Sequence, residues 1–470
     1  MKIKKISENV YEIEKEEDMQ VSALIFASDE LFEKIKQDKT LEQAKNVAKL
    51  PGIVKYSLTM PDGHQGYGFP IGGVAAFDVE KGIISPGGVG YDINCGVRLL
   101  RTGISKEELM KKREEILKDM FQKIPSGVGH RGALKLSEAE LDEVLRKGSQ
   151  WALEKGYALK EDIEMTEDYG CLKPADASKI TEKAKKRGIN QLGSIGSGNH
   201  FVEIEVIEKI FNKKVADVFG LKENEIVILI HTGSRGLGHQ TASDYIQKIE
   251  KEYDYIFPDR ELIYAPLNSQ LGKDYIEAMN AAANFAFANR QIITHNLRKT
   301  FERFFPQARI GVVYDIAHNI AKFESFVIDN KKIKVCIHRK GATRSFGPGR
   351  KEIPEKYKEI GCPIFIPGSM GTSSYVLVGT NESEKISFSS TAHGAGRAFS
   401  RTYAKKHITK NELMSELESK NVKIKAGSIK GMIEEAPEAY KNVDEVVRVS
   451  DELNIGKKVA QLKPLAVMKG

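Results

Sequence analysis

One glycine-rich loop of the chain reads Ser85-Pro-Gly-Gly-Val-Gly-Tyr-Asp-Ile-Asn-Cys-Gly-Val-Arg98. It places an acid, Asp92, one helical turn before a thiol, Cys95, and the surrounding glycines allow the backbone to turn sharply and approach a ligand closely. Asp92 offers a hard oxygen ligand, and Cys95 offers a soft sulfur that can bridge two metal ions. Taken alone, the pair fits a polar loop with a buried free cysteine better than a metal site.

Four further glycine-bearing loops change that interpretation, because each carries a histidine: His200, His231, His318 and His393. One carboxylate, one thiolate and the imidazoles of His200, His231 and His318 suit a first-row transition metal, or two metals bridged by sulfur. Zinc, iron and manganese all fit these ligand types. A His-Glu-x-x-His helix is absent from the sequence, which argues against a zincin.

Apolar runs and helical periodicity alternate along the chain and predict an α+β protein. Predicted strands cover residues 3–26, 74–77, 97–100, 226–230, 310–314, 333–337 and 363–366, and predicted helices cover 31–49, 107–118, 137–155, 179–187, 275–305 and 410–420. Residues 60–74, with His64, are predicted to form a loop. Since no linker interrupts the pattern, we expect a single large mixed α/β domain of complex topology, residues 1–470, whose glycine-rich loops converge on one central pocket.

Length and composition agree with a large globular core. The chain has 470 residues, a formal net charge of +7 and a pI near 8.8, a mild excess that is compatible with a polyanionic partner. Its four cysteines form no Cys-x-x-Cys pair, which argues against a zinc knuckle or a disulfide framework. The N-terminus lacks an apolar signal core, and apolar runs stay well below the ~20 residues that span a bilayer. We therefore expect a cytoplasmic protein with no membrane attachment.

Several Gly-Ser loops are suited to binding phosphate through backbone N–H groups. They begin at Gly196, Gly233, Gly368 and Gly394, and neither a P-loop motif nor a Rossmann fingerprint accompanies them. His393 stands directly before one of these loops, and its imidazole is a candidate nucleophile at phosphorus. The alternative is a structural histidine, and the residues alone leave both open. Basic residues in or beside the same loops, among them Arg235, Lys340 and Arg401, are candidates for contacts with a phosphate backbone.

Seven ordered motifs together resemble the RtcB family of GTP-dependent RNA-splicing ligases. They are Asp62-Gly-His-Gln-Gly-Tyr-Gly-Phe-Pro-Ile-Gly-Gly, Gly87-Gly-Val-Gly-Tyr-Asp-Ile-Asn-Cys-Gly-Val-Arg, Gly196-Ser-Gly-Asn-His-Phe-Val-Glu, His231-Thr-Gly-Ser-Arg-Gly, Ala317-His-Asn, His338-Arg-Lys-Gly-Ala-Thr-Arg and Ala392-His-Gly-Ala-Gly-Arg. The likeness extends over nearly the whole chain.

The resemblance implies a ligase that joins RNA ends bearing a 2′,3′-cyclic phosphate or 3′-phosphate to 5′-hydroxyl ends, in tRNA splicing and RNA repair. It implies GTP and two Mn²⁺ ions per active site, a histidine–GMP intermediate on His393 and an RNA-3′-pp-guanosine intermediate. It also implies tRNA halves or broken RNA as partners, and it leaves open whether an activator such as archease is needed. The oligomeric state, monomer or homodimer, stays open.

The resemblance further assigns roles to individual residues. It implies Asp92, Cys95, His200, His231 and His318 as metal ligands, with Cys95 bridging two ions. Guanylate contacts would fall on Asn199, His200, Phe201, Val202, Glu203, His318, Asn319, Pro367, Gly368, Ser369, Met370, Ser374, His393, Gly394, Ala395, Gly396, Tyr440 and Lys469. Arg235, Lys340 and Arg401 would contact RNA phosphates.

Two other functions are compatible with the same residues. A metal-dependent phosphoesterase acting on cyclic-phosphate RNA ends would use the same ligands, since opening the cyclic phosphate is itself a hydrolysis. A non-catalytic RNA-binding protein with a structural metal is compatible with the net charge, but it has no use for a histidine beside a glycine-rich phosphate loop.

Overall fold

The structure is a computed structural model that describes residues 1–16, 18–127, 132–254, 259–328 and 331–470. Its strands are spread along the whole chain. In chain order they are β1 (Ile3–Ser7), β2 (Val10–Ile13), β3 (Ser22–Phe26), β4 (Ile53–Tyr67), β5 (Phe69–Asp78), β6 (Ile83–Ile84), β7 (Gly96–Ser105), β8 (Phe201–Ile210), β9 (Glu225–Thr232), β10 (Ala265–Pro266), β11 (Gly311–Ala317), β12 (Asn319–Ile328), β13 (Lys331–Lys340), β14 (Ala342–Arg344), β15 (Pro363–Ile366), β16 (Ser374–Val378), β17 (Ser390–Ala392), β18 (Lys423–Ala426) and β19 (Lys457–Lys469).

The helices are spread along the whole chain between these strands. They are α1 (Asp29–Ile35), α2 (Thr40–Val47), α3 (Pro86–Val89), α4 (Lys106–Met110), α5 (Arg113–Lys123), α6 (Glu138–Lys147), α7 (Ser149–Glu154), α8 (Lys160–Glu164), α9 (Glu182–Gly188), α10 (Lys213–Phe219), α11 (Arg235–Glu252), α12 (Gln270–Phe304), α13 (Glu382–Ser387), α14 (Arg401–His407), α15 (Lys410–Ser419), α16 (Ile429–Glu434) and α17 (Val443–Glu452). Short 3₁₀ helices cover Glu167–Gly170, Ala177–Lys179, Arg260–Leu262, Glu355–Tyr357 and Pro437–Ala439.

Two large sheets organise the fold and confirm the predicted α+β class. The first has seven strands in the order β1-β2-β3-β4-β5-β13-β12. The second follows the order β11-β7-β9-β8-β19-β16-β15, and β18 adds to β19 in parallel. Two short antiparallel ladders, β6 with β10 and β14 with β17, complete the pairing. Since strands distant in sequence are neighbours in both sheets, the topology is complex, as expected.

The second sheet is buried on both faces, which explains its apolar strands. Leu99 and Leu229 pack in one core with Val335 and Ile337 of the first sheet. Leu100, the next residue of β7, packs in another core with helices α5 and α12. Because side chains alternate across a strand, a strand covered on both faces is apolar throughout. Each large aliphatic side chain buried in this way contributes roughly 1.5–3 kcal/mol of transfer free energy.

Most predicted elements are confirmed. The apolar run 226–230 lies in β9, residues 363–366 form β15, and the long helix is α12. Ser137 caps α6, since its hydroxyl accepts from the Glu140 N–H and the Glu140 carboxylate accepts from the Ser137 N–H. The predicted helix over 137–155 is divided at Gly148, whose φ of 56° is left-handed. The helices predicted over 31–49 and 107–118 are likewise each divided in two.

The predicted loop at residues 60–74 is wrong. This segment belongs to the β4–β5 hairpin, and His64 is paired with Ile71. The register shifts between Thr59 and His64 and again between His64 and Tyr67. These β-bulges accommodate the glycines that suggested a loop, and they re-aim side chains locally. The hairpin therefore presents Asp62 and His64 from a sheet rather than from a free loop.

No described helix combines the length and the apolar character that crossing a lipid bilayer requires.

Candidate active site

Strand order brings four predicted metal ligands to one end of the second sheet. β11, β7, β9 and β8 are adjacent and antiparallel. Cys95 directly precedes β7 and His200 directly precedes β8, whereas His231 lies near the end of β9 and His318 directly follows β11. The start of one antiparallel strand lies beside the end of its neighbour. Residues far apart in the sequence therefore meet at this edge.

The nitrogen and sulfur atoms of these ligands are close to one another. Sγ of Cys95 lies 3.2 Å from Nε2 of His200 and 3.3 Å from Nε2 of His231. Nε2 of His231 lies 3.3 Å from Nε2 of His318, and Nε2 of His200 lies 2.9 Å from Oδ2 of Asp92. The ligand atoms of Cys95, His200 and His231 all fall within 4.8 Å of one another. This mixed sulfur and nitrogen set fits a transition metal ion.

The protonation states of these side chains also suit a metal. Burial lowers the pKa of His200, His231 and His318, so the three imidazoles are neutral at pH 7 and carry a nitrogen lone pair. Burial and then the Asp92 carboxylate raise the pKa of the Cys95 thiol. Burial also opposes ionisation of Asp92, but attraction to His200 and Arg235 keeps the pKa of this carboxyl below its usual range. Metal binding would displace the thiol proton.

A buried arginine fixes the backbone beside two of the ligands. Arg290 of α12 donates from Nη1 to the carbonyl oxygens of Asn94 and Thr232, at 2.9 Å each. These residues directly adjoin Cys95 and His231. The Asp315 carboxylate accepts from Arg290 Nε at 2.9 Å and balances its charge. The long helix therefore holds the ends of β7 and β9 in register at the site.

Asp92 and His200 are oriented by close neighbours. A Cβ atom added at Gly233 would lie 2.5 Å from Oδ2 of Asp92, so this close approach requires glycine. Nδ1 of His200 lies 3.1 Å from the carbonyl oxygen of Ile195 and 3.0 Å from Nη1 of Arg235. These contacts hold the His200 ring with Nε2 directed at Cys95 and Asp92.

His393 faces this cluster from the short β14–β17 ladder. It directly follows β17, in which Ala392 pairs with Ala342. The centroids of the His393 and His318 rings are 4.7 Å apart. Oδ2 of Asp62 accepts from Nδ1 of His393 at 2.5 Å and from the His393 backbone N–H at 3.0 Å. Because Nδ1 carries the proton in this contact, Nε2 presents a lone pair and can act as a nucleophile.

The segment after His393 packs closely against the bulged part of strand β4 and is connected to it by hydrogen bonds through Lys441. Gly396 has a φ of 72°, and a Cβ atom there would lie 2.2 Å from the carbonyl oxygen of Asp62. The backbone N–H of Lys441 donates to the Gly396 carbonyl at 2.9 Å, and Nζ of Lys441 donates to the Gly63 carbonyl. These contacts of Gly396 and Lys441 keep Asp62 in place beside the imidazole of His393.

A cavity of about 310 Å³ contains the predicted metal ligands and His393 in its wall. Most of the predicted site residues line it: Asp92, Cys95, Asn199, His200, Phe201, His231, His318, Asn319, Lys340, Pro367, Gly368, Ser369, Met370, His393, Gly394, Ala395, Gly396, Arg401, Tyr440 and Lys469. The five glycine-bearing loops that carry the acid, the thiol and the histidines therefore converge on one pocket.

Four predicted residues do not line the cavity: Arg235, Val202, Glu203 and Ser374. Arg235 instead contacts His200, one of the predicted metal ligands, from outside the cavity wall. Ser374 accepts from the Gly368 N–H at 3.3 Å and donates to Glu205 at 2.8 Å, so it supports the wall at Gly368. Val202 and Glu203 are buried in β8. Burial and then the Glu205 carboxylate raise the pKa of Glu203.

Cationic side chains surround the opening. Lys340 ends β13 and donates from Nζ to the carbonyl oxygens of Tyr67 and Phe69, the latter at 3.0 Å. Burial lowers the pKa of Lys340 to about 7. Arg401 is half exposed, and its Nε donates to Glu435 at 3.0 Å. Arg397 donates from Nη1 to the other oxygen of Glu435 at 3.2 Å. These three basic side chains therefore stand in the cavity wall, and two of them are paired with Glu435.

Residue patterns alone missed several functional candidates. Asp62 has no predicted role, although its contact with His393 is the shortest polar contact of that imidazole. His64, Tyr67, Tyr91 and Glu435 also line the cavity. Three of these residues could have been found from their position in the sequence, because Asp62, His64 and Tyr67 all stand in the glycine-rich block that begins at Asp62. The interpretation of that block as a loop hid their link to β4.

Comparison with known proteins agrees with the resemblance seen in the sequence. A family model described as "tRNA-splicing ligase RtcB" matches residues 43–470. A relative named tRNA-splicing ligase RtcB in Thermococcus kodakarensis is 50% identical, over 100% of this chain and 99% of its own length. Relatives of the same name in Nanoarchaeum equitans and Archaeoglobus fulgidus are 51% and 47% identical, each over 100% of this chain and at least 99% of their own length.

Proposed function

The chain belongs to the RtcB family of tRNA-splicing ligases, and from that membership we propose that it is an RNA ligase acting in tRNA splicing. We further propose GTP and Mn²⁺ as cofactors, and RNA ends with a 2′,3′-cyclic phosphate or 3′-phosphate and a 5′-hydroxyl as substrates. The observation that carries the proposal is the position of His393, whose ring centroid lies 4.7 Å from that of His318 in the same cavity as Cys95.

The donor set fits a first-row transition metal, a class to which manganese belongs. Asp92, Cys95, His200, His231 and His318 would hold the metal, since their ligand atoms follow one another in contact from Asp92 to His318. When bound, manganese would supply positive charge that stabilises phosphate oxygens in the transition state. The neutral imidazoles support this role, because each keeps a nitrogen lone pair that a metal can bind.

In the proposed first step, Nε2 of His393 attacks the α-phosphorus of GTP. A nitrogen–phosphorus bond forms, and the bond to the pyrophosphate leaving group breaks. Asp62 keeps the proton on Nδ1 and stabilises the positive charge that the imidazole gains. The loop Pro367 to Met370 and the segment Gly394 to Gly396 would bind the guanylate, with Asn199, Phe201, Glu203, Asn319, Ser374, Tyr440 and Lys469.

In the following steps the RNA end is activated and joined. Water attacks the cyclic phosphate and breaks its bond to the 2′-oxygen, which leaves a 3′-phosphate and a 2′-hydroxyl. An oxygen of the 3′-phosphate then attacks the guanylate phosphorus, and the bond to His393 Nε2 breaks. The 5′-hydroxyl then attacks the RNA phosphorus and releases GMP, so that one phosphodiester bond replaces the phosphoanhydride bond. Lys340, Arg401 and Arg235 would bind RNA phosphates. We place this activity in the cytoplasm and assign it to one domain over residues 1–470. Assays with and without an archease-type activator test the need for one, and the mass of the protein in solution distinguishes a monomer from a homodimer.

An end-joining assay tests this function against the phosphoesterase alternative. Purified protein is incubated with GTP, Mn²⁺, an RNA ending in a 2′,3′-cyclic phosphate and an RNA beginning with a 5′-hydroxyl. The ligase predicts a joined strand that depends on GTP and disappears in His393→Ala. A strand that is only opened to the monophosphate, with or without GTP, would support the phosphoesterase instead.

A further inference from the structure

A stack of exposed aromatic rings lies next to the catalytic cavity, and none of the roles described above uses it. The rings of Phe399 and Tyr403 are stacked with centroids 4.8 Å apart, and those of Tyr403 and His407 are stacked 3.9 Å apart. Phe399 is 44% exposed and Tyr403 is 45% exposed. His407 is exposed as well. The spacing of four residues places all three on one face of α14 and of the turn before it.

These rings do not serve the core. Among the residues of α14, only Ala404 is buried. The helix therefore packs on the protein through its small residue and turns its large rings towards solvent. Apolar surface is costly to expose, and a contiguous exposed patch of it usually marks a binding site.

The charge around the stack identifies the kind of ligand. Between Glu384 and Glu412 the chain carries no acidic residue but six basic ones: Lys385, Arg397, Arg401, Lys405, Lys406 and Lys410. Lys406 and Lys410 are exposed, whereas Arg401 and Lys405 contact Glu435 and Glu434. Aromatic faces interleaved with cations are the surface on which single-stranded nucleic acid binds, because every base offers a ring to stack and every linkage a negative charge.

The stack also continues directly from the site. Arg397 and Arg401 both line the cavity, and Phe399 stands between them in the chain. We propose that the stack of Phe399, Tyr403 and His407 is a stacking platform that binds unpaired bases of the substrate RNA near its reacting end, with the bases stacking on the terminal rings, Phe399 and His407, and Tyr403 supporting both. Lys405 and Lys406 bind the phosphates between those bases. This assignment rests on the proposed function and extends it from the RNA terminus to the nucleotides behind it.

The affinity of the full chain for single-stranded RNA tests whether the stacking platform binds bases. The double variant Phe399→Ala with Tyr403→Ala is expected to weaken binding by a factor of about ten or more. The double variant Phe399→Tyr with Tyr403→Phe keeps both rings and should retain the affinity within a factor of about two. Phe323→Ala is a matched control, since Phe323 is 45% exposed like the two rings but lies on β12 of the first sheet and not on α14. An unchanged affinity in the double alanine variant, or an equal loss in Phe323→Ala, would overturn the proposal.

Abasic RNA separates stacking from charge and identifies the strand. One arm carries abasic nucleotides next to the 3′-phosphate, and the other carries them next to the 5′-hydroxyl. In one arm the unmodified protein should bind the abasic RNA about tenfold more weakly than the intact RNA. The double alanine variant should bind the two RNAs equally. If the loss from the abasic RNA and the loss from the double alanine variant simply add in both arms, the rings do not contact these bases. That result would point to a protein partner for this face, and the platform would be refuted.

Guanylylation by GTP is measured in the same preparations, because it needs no RNA and reports the proposed function separately. If the unmodified protein accepts no guanylate, the proposed function fails, while RNA binding still tests the platform. If the double alanine variant loses guanylylation as well as RNA affinity, its defect is in the catalytic cavity, and the stack is not a separate RNA site.

Discussion

Oδ2 of Asp62 accepts two hydrogen bonds from His393, one from the ring Nδ1 at 2.5 Å and one from the backbone N–H at 3.0 Å. The same carboxylate therefore fixes both the position and the tautomer of the imidazole. Asp62 comes from a bulge of β4 and His393 follows β17, so the pair joins the first sheet to the loop that follows the short β14–β17 ladder.

Replacing Asp62 by Asn should slow guanylylation without abolishing nucleotide binding. An amide can donate to Nδ1 and thereby favour the tautomer that has no lone pair at Nε2. We expect a decrease of about 100-fold in the rate at saturating GTP, with little change in the GTP concentration at half-saturation. Asp217→Asn, at an exposed position of α10, is the control. A wild-type rate in Asp62→Asn would mean that the carboxylate does not set the tautomer.

Metal binding should depend on pH through the Cys95 thiol. Burial and the Asp92 carboxylate raise its pKa, so the thiol is protonated at neutral pH, and a bound metal has to displace that proton. Metal affinity is therefore expected to rise with pH, by up to about tenfold per unit while one proton is released. Calorimetric titration with Mn²⁺ from pH 6 to 8 measures the effect.

The matched variant for this test is Cys95→Ser. Serine is not deprotonated in this range, so the variant should bind metal more weakly and with a shallower pH dependence. Identical pH profiles for the two proteins would show that the thiol is not a ligand.

Binding of an RNA 3′-phosphate should weaken above neutral pH because of Lys340. Burial lowers its pKa to about 7, so its ammonium group is lost as the pH rises through that value. A phosphate stabilises the charged form, and affinity is therefore highest below pH 7 and decreases above it. The measurement is the dissociation constant of a 3′-phosphorylated oligonucleotide between pH 6 and 8.5. In Lys340→Met the affinity should be low and independent of this titration, whereas a profile parallel to that of the unmodified protein would exclude Lys340.

Arg290 should contribute strongly to stability as well as to the site. Arg290→Met leaves the fully buried Asp315 carboxylate with Arg98 alone and removes the donors to Asn94 and Thr232. We expect a loss of about 3–5 kcal/mol in the free energy of unfolding. Arg260→Ala, which breaks the exposed pair with Glu250, should cost far less, because solvent screens that pair. Denaturant unfolding compares the two, and equal losses would contradict this view of the buried pair.

The sequence predicted the parts of the fold that depend on local pattern. The apolar run in β9, the long helix α12 and the Ser137 cap each have a local cause, and each is confirmed. Strand order could not be predicted, because it depends on pairing between segments hundreds of residues apart. The central strand β19 was also missed, because Pro464 and several lysines make the segment unlike a strand.

The site was predicted residue by residue through motifs, and its geometry required the sheet. Cys95 and His231 are recognisable in glycine-rich blocks, but only the antiparallel neighbours β7 and β9 explain why they meet. Asp62 illustrates the opposite case. It stands in a conspicuous motif, yet its role follows only from a contact with a residue 331 positions away.

Intact mass spectrometry after incubation with GTP and Mn²⁺ tests the central claim most directly. The account predicts that the protein gains the mass of one guanylate, that the adduct is lost in acid as expected of a phosphoramidate, and that His393→Ala gains nothing. A protein that stays unmodified under these conditions, or a His393→Ala variant that is still guanylylated, would contradict it.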